Sequence, residues 1–148
     1  MDQLNLPSYH FKLKEINGKK YIFDQNRKKF VALTPEEWVR QHFIEYLVQE
    51  KKYPRLLIGI EFSLKVNKMD RRGDIVVFNK KGQPYLIVEC KAPHVEITQA
   101  VFDQIARYNI PLKVDYMVVT NGLKHYCCYI DHKIGKYSFL EDIPDYFQ

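Results

Sequence analysis

The sequence predicts an α/β fold, a mixed central sheet flanked by helices and preceded by an N-terminal β-hairpin. Three observations predict it. Short apolar runs of strand length alternate with two longer segments of helical periodicity. An Asn-Gly pair separates two alternating runs near the start of the chain. The 148 residues, 46% of them hydrophobic, suffice for one compact core.

The elements follow in order. YHFKLKEI-NG-KKYIFD has apolar residues at every second position on both sides of Asn17-Gly18, the pair that best accepts the positive φ angles of a two-residue turn. Thr34-Pro35-Glu36-Glu37 then offers an N-cap, a Pro at the first helical position and a Glu three residues after the cap. Trp38, Val39, Phe43, Tyr46 and Leu47 recur at helical spacing, so a first helix is expected from about Pro35 to Glu50. RLLIGIEFSLKV reads as a strand and NKMDRRG as a polar connection. DIVVF and YLIVECK follow as strands joined by a Gly-containing turn. Ile97, Val101, Ile105 and Tyr108 share one face of a second helix, expected from about Val95 to Tyr108. VDYMVVT, HYCCYI and YSFL complete the strands.

Composition narrows the function classes. Apolar runs are too short to cross a bilayer as a helix, and the N-terminal stretch MDQLNLPSYHFKLK lacks the apolar core of a secretory signal. Three cysteines, two of them adjacent, suit neither a disulfide framework nor a CxxC zinc site. These features lead us to expect a single domain in the cytoplasm, with no membrane association. A net charge of +5, with Lys12, Lys14, Lys19, Lys20, Arg27, Lys28 and Lys29 early in the chain, favours a polyanionic partner and equally suits a solvated basic face.

Charge at the ends of two apolar strands carries the chemical signal. If the Asp74–Phe78 and Tyr85–Lys91 runs pair antiparallel with Phe78 facing Tyr85, Asp74 lies opposite Glu89. Facing Cβ atoms are ~4.5–5.5 Å apart, so the two carboxylates repel unless a cation or a proton intervenes. Glu89 and Lys91 share a face, while the Cys90 side chain points away. Hard oxygen ligands of this kind suit Mg²⁺ or Mn²⁺, with water and a phosphate completing the shell. A nearby lysine can orient a water and stabilise charge developing on phosphorus. A capped turn at Asp74 and a salt bridge between Glu89 and Lys91 would account for the same residues without any catalysis.

Asp74, Glu89-Cys90-Lys91 and Gln104-Ile105-Ala106-Arg107-Tyr108 together resemble the PD-(D/E)XK nuclease superfamily, and within it the N-terminal nuclease domain of type I restriction enzyme R subunits. LTPEEWVRQ, EFSL and VVTNG extend the likeness over about residues 27–130. The resemblance implies a restriction-endonuclease-like fold, with residues 1–30 as a hairpin extension and 31–130 as nuclease core. It implies catalysis by Asp74, Glu89 and Lys91, with Mg or Mn held by Asp74, Glu89 and the main-chain carbonyl of Cys90. Gln104 and Tyr108, four apart and so on one helix face, would support the site. Glu37 is the candidate for the family's acid on the first helix, although its spacing from Thr34 equally suits a capping box. Arg71 and Arg72, just before Asp74, are candidates for phosphate contacts. Two departures stand out: Gly73 replaces the superfamily's Pro, and no GxxxxGK[ST] phosphate loop is present.

The expected function is thus metal-dependent hydrolysis of phosphodiester bonds, most readily of DNA and by internal cleavage. A homodimer would suit cleavage of both strands, and restriction or motor subunits are the implied partners. The alternative is a non-catalytic nucleic-acid-binding or interaction module that retains the nuclease fold.

Overall fold

The computed structural model describes residues 1–66 and 69–146, and the side chains of all of these except 62–66 and 69–73. Strands β1 (Leu13–Ile16), β2 (Lys19–Asp24) and β3 (Lys29–Ala32) form a three-stranded antiparallel sheet. Asn17 and Gly18, at φ 51° and 80°, make the β1–β2 turn, both in the region a type I′ hairpin demands. The third strand was not expected. Its residues follow a basic run that reads as loop, but Asp24 turns the chain back by accepting hydrogen bonds from the Asn26 and Arg27 amides at 2.8 and 2.9 Å. Phe30 then pairs with Phe23 across the ladder.

Helix α1 (Pro35–Gln49) begins where the cap predicts, with Thr34 Oγ1 accepting from the Glu37 amide at 3.0 Å. A single 3-10 turn, Arg55–Leu57, leads into β4 (Ile58–Val66). β4 pairs with β5 (Met69–Phe78), which takes in Met69–Gly73 of the segment expected to be a connection. Backbone pairing with β4, which any residue type can make, accounts for a strand at Met69–Gly73 despite the polar sequence. β6 (Pro84–Cys90) follows, then α2 (Gln99–Asn109), β7 (Tyr116–Thr120), β8 (His125–Asp131) and β9 (Lys136–Leu140). The six-stranded sheet runs in the order β4-β5-β6-β7-β8-β9, with β6 and β7 parallel and the other neighbours antiparallel. Helix α2 makes the crossover that the parallel pair requires.

α2 starts later than its periodicity suggests. Thr98 Oγ1 caps it by accepting from the Val101 amide at 3.2 Å, and Asn121 Nδ2 holds the Val95 carbonyl outside the helix at 2.8 Å.

Ile75–Val77 of β5 and the middles of β6, β7 and β8 are buried on both faces, which is why they read as unbroken apolar runs. Ile75, Val77, Leu86, Val88, Cys90, Val118 and Cys127 pack with Val39, Phe43, Ile44 and Leu47 of α1. Val76, Ile87, Met117, Val119, Cys128 and Ile130 pack with Phe102 and Ala106 of α2. Each fully buried aliphatic side chain is worth ~1.5–3 kcal/mol in transfer terms. The core also draws in Leu4 near the start and Ile143 near the end of the chain. Among the described residues no helix is long and apolar enough to cross a membrane.

Candidate functional site

The ends of β5 and β6 meet with Ile75 opposite Val88, Val76 opposite Ile87 and Val77 opposite Leu86. The next rung brings Asp74 beside Glu89, close enough for the Asp74 carboxyl to act on that of Glu89. Phe78 faces Pro84 rather than Tyr85, because a bulge between Val77 and Phe78 absorbs one residue at the turn. The register at the chemical end of the hairpin is unaffected by it.

Asp74 is fixed from two sides. Its Oδ2 accepts from the Cys90 amide at 2.7 Å, and its Oδ1 lies 3.5 Å from Arg40 Nη2. Glu89 is pushed up to about 8: burial is the largest cause, followed by the Asp74 charge, with Lys91 and the Asn109 amide opposing. Glu89 therefore keeps its proton at neutral pH. Lys91 is partly buried on the same face, and its amide donates to the Thr120 carbonyl at 2.8 Å, pinning the strand end to β7. Its positive charge acts on Glu89 and Glu36, drawing both down. The Cys90 side chain lies in the core beneath α1, where burial pushes its thiol well up; it stays protonated, which leaves the residue's main-chain groups as its contribution to the site.

Helix α1 brings Glu36, Glu37 and Arg40 to this end of the sheet. The Glu37 carboxylate is taken by Arg40 at 2.6 Å, Gln41 at 2.9 Å and Arg27 at 3.1 Å. It is Glu36, one residue earlier, whose carboxyl is raised by burial and by Asp74 while Arg40 and Lys91 draw it down. Glu36 therefore shares the site's field. Arg40 is 5% exposed and joins Glu37, Asp74 and, at 3.5 Å each, Glu36 and Glu61. Glu61 sits at φ 49°, a left-handed conformation that no glycine relieves. Glu45 is held by Arg55 at 2.7 and 2.9 Å and has a structural task.

Gln104 and Tyr108 lie on the exposed side of α2, Tyr108 being 46% exposed. Asn109, next along the helix, is fully buried and reaches Glu89. Its Nδ2 donates to the Ile105 carbonyl at 2.9 Å, and its Oδ1 has no hydrogen-bond partner among the described residues. Arg71 and Arg72 belong to β5, but their side chains lie outside the described residues.

Sequence reasoning thus missed Arg40 and Asn109. Both carried a signal: Arg40 falls on the stripe of Ile44 and Leu47, and Asn109 on that of Phe102 and Ala106. A polar residue at a core position of an amphipathic helix needs a partner there.

Among the described residues no three His, Cys, Asp or Glu side chains converge on a metal position. A divalent cation at this sheet end would draw on two carboxylates, one carbonyl and water. That donor set fits Mg²⁺ or Mn²⁺, which keep several waters and need few protein ligands.

Comparison with known proteins gives a concordant picture. A family described as "Type I restriction enzyme R protein N terminus (HSDR_N)" matches residues 35–144. No curated protein matches the chain. Among solved structures, a fragment assigned to an HsdR subunit of a type I restriction enzyme from Vibrio vulnificus YJ016 is similar at a TM-score of 0.52 and 19% identity. The similarity covers 78% of this chain and 24% of that one, so the present chain corresponds to about a quarter of its neighbour.

Proposed function

Because the chain belongs to the family of type I restriction enzyme R protein N termini, we propose that it is a metal-dependent nuclease of the PD-(D/E)XK type that hydrolyses phosphodiester bonds of DNA. The observation that carries this reading is the Asp74–Glu89 carboxyl pair, with Glu89 pushed up to about 8 and Lys91 on the same face. A protein that brings two carboxyls together in a partly buried spot pays in stability for a site that a cation would relieve.

Asp74, Glu89 and the Cys90 carbonyl would hold Mg²⁺ or Mn²⁺, which when bound supplies positive charge to the phosphate and a more acidic water. The protein's residues supply the positioning. The Cys90 amide fixes the orientation of the Asp74 carboxylate, and Asn109 favours the charged form of Glu89. Lys91 holds the attacking water and offsets negative charge on the phosphate as it is hydrolysed. Gln104 and Tyr108, one turn apart on the open side of α2, guide the strand being cut, and Arg71 and Arg72 contact its phosphates. Internal cleavage, a homodimer for cutting both strands and association with restriction or motor subunits belong to the same proposal.

Titration of Mn²⁺ calorimetrically into the wild type and Asp74→Ala, beside a plasmid-nicking assay with Lys91→Ala, tests it. Metal binding lost in the first variant and nicking lost in both support the proposal; nicking retained by a folded Lys91→Ala protein would sink it. One observation favours a second reading. Arg40 already lies against Asp74, so its charge can stand in for a cation in a module that binds nucleic acid without cutting it. Salt-sensitive binding with neither Mn²⁺ uptake nor nicking would select that module.

A further inference from the structure

We propose that the outward face of the β1–β2–β3 sheet binds single-stranded nucleic acid, by stacking bases on its aromatic rings and pairing phosphates with its lysines. This face lies outside the matched residues 35–144, and the inference concerns binding alone, independent of whether the chain cuts.

The ladder settles which residues share the face. Lys14 pairs with Tyr21 and Tyr21 with Ala32; Ile16 pairs with Lys19; Phe23 pairs with Phe30. The Phe23 amide donates to the Lys12 carbonyl, which places Lys12 at the same level. Cross-strand partners point to one side. Lys12, Lys14 and Lys19 therefore stand with Tyr21, Phe23 and Phe30, and no carboxylate shares their side. The acids Glu15 and Asp24 alternate to the other face, where Ile22 and Asp24 are fully buried. The three lysines are exposed and the three rings are partly exposed.

Such segregation is costly for a bland surface, since rings in water gain nothing and like charges repel. The rings are also preorganised: Phe23 and Phe30 meet edge to face at 5.2 Å, with Lys14 Nζ 4.0 Å over Phe30 and Lys12 Nζ 5.8 Å over Phe23. Ammonium groups so close to ring faces can reach a phosphate of a strand whose base stacks beside them. Unpaired bases offer the π-faces that a duplex keeps stacked, so the surface favours a single strand over a double one.

The test is fluorescence anisotropy in EDTA, which silences cleavage, with labelled 20-mers of thymidine and uridine and a mixed-sequence duplex. The variants are Lys14→Gln/Lys19→Gln and Tyr21→Leu, with Lys80→Gln/Lys81→Gln as a control that removes equal charge at another exposed turn. Circular dichroism verifies folding. Three phosphate contacts give a salt slope of about −2 for a single strand, falling to about −0.7 when two lysines are lost. We expect about tenfold weaker binding for the lysine pair, fivefold or more for Tyr21→Leu and under twofold for the control. Tighter binding of one 20-mer names the sugar. Equal losses in control and test variants, or duplex bound as tightly as the single strands, would overturn the proposal, whereas lost nicking with this binding intact concerns the catalytic reading only.

Discussion

Replacing Glu89 by glutamine should remove a pH dependence from the stability of the metal-free protein. Glu89 moves from 4.5 to about 8 on folding, through burial first and the Asp74 charge second. Between those values the folded chain retains a proton that the unfolded chain has released. Stability is therefore greatest below pH 4.5 as far as this group is concerned, falls as pH rises, and levels off above 8. From pH 5.5 to 8 the loss has a ceiling of ~3.4 kcal/mol at ~1.4 kcal/mol for each pH unit. Partial water access at this carboxyl lowers that to the order of 2 kcal/mol. At a urea slope of ~2 kcal/mol per molar this is a midpoint shift of about 1 M. Buried His42 and partly buried His125 are lowered by desolvation and act in the opposite direction, but they are common to both proteins and cancel in the difference. Urea unfolding in EDTA at pH 5.5 and 8 would show the wild-type midpoint falling by about that amount relative to Glu89→Gln. Parallel pH profiles for the two proteins would refute the assignment of Glu89 as a carboxyl forced to share its site with Asp74.

Two further predictions concern the scaffold. Burial alone would raise Asp24, yet hydrogen bonds from the Arg27 amide and guanidinium, with Gln41, hold it low; its contribution is present above pH 3.8 and lost as pH falls through its folded value. Asp24→Asn should cost ~2 kcal/mol at pH 7 by removing a buried carboxylate that accepts from Arg27 and Gln41, with Glu37 left as a partner of Arg27, and about 1 kcal/mol less at pH 3, as urea midpoints at the two pH values would reveal. Gly122 sits at φ 85°, and a Cβ there would meet Leu4 Cδ2 at 2.8 Å and Val39 Cγ2 at 3.0 Å. Gly122→Ala should cost ~2 kcal/mol, visible as a lower thermal midpoint, and a Leu4→Ala background should relieve part of it.

The Asn-Gly hairpin, the Thr34 cap and the two-faced strands were legible because their causes lie within a few residues. β3 and the first residues of β5 were not, since β3 is only four residues behind a basic run and the start of β5 is polar, and each is recruited by a neighbouring strand rather than by its own pattern. The start of α2 was misjudged for a related reason: Ile97 continues the apolar period, but the Thr98 cap and the bond from Asn121 end the extended segment. On α1, the resemblance offered Glu37 as the family's acid while its spacing from Thr34 suited a capping box; which groups its carboxylate meets, Arg27, Arg40 and Gln41, depends on tertiary packing.

By itself the sequence determined the order of elements and the spacing of Asp74, Glu89 and Lys91 along two adjacent strands. Turn propensity, capping and period-two alternation act over short stretches of chain, so they are written where they operate. Only the tertiary structure decided what surrounds those carboxyls: Arg40, 34 residues before Asp74, the Cys90 amide 16 residues after it, and Asn109 from the end of α2. The charge state of a buried acid depends on every group within a few ångströms, whatever its distance along the chain, and packing α1 and α2 on opposite faces of one sheet selects those groups.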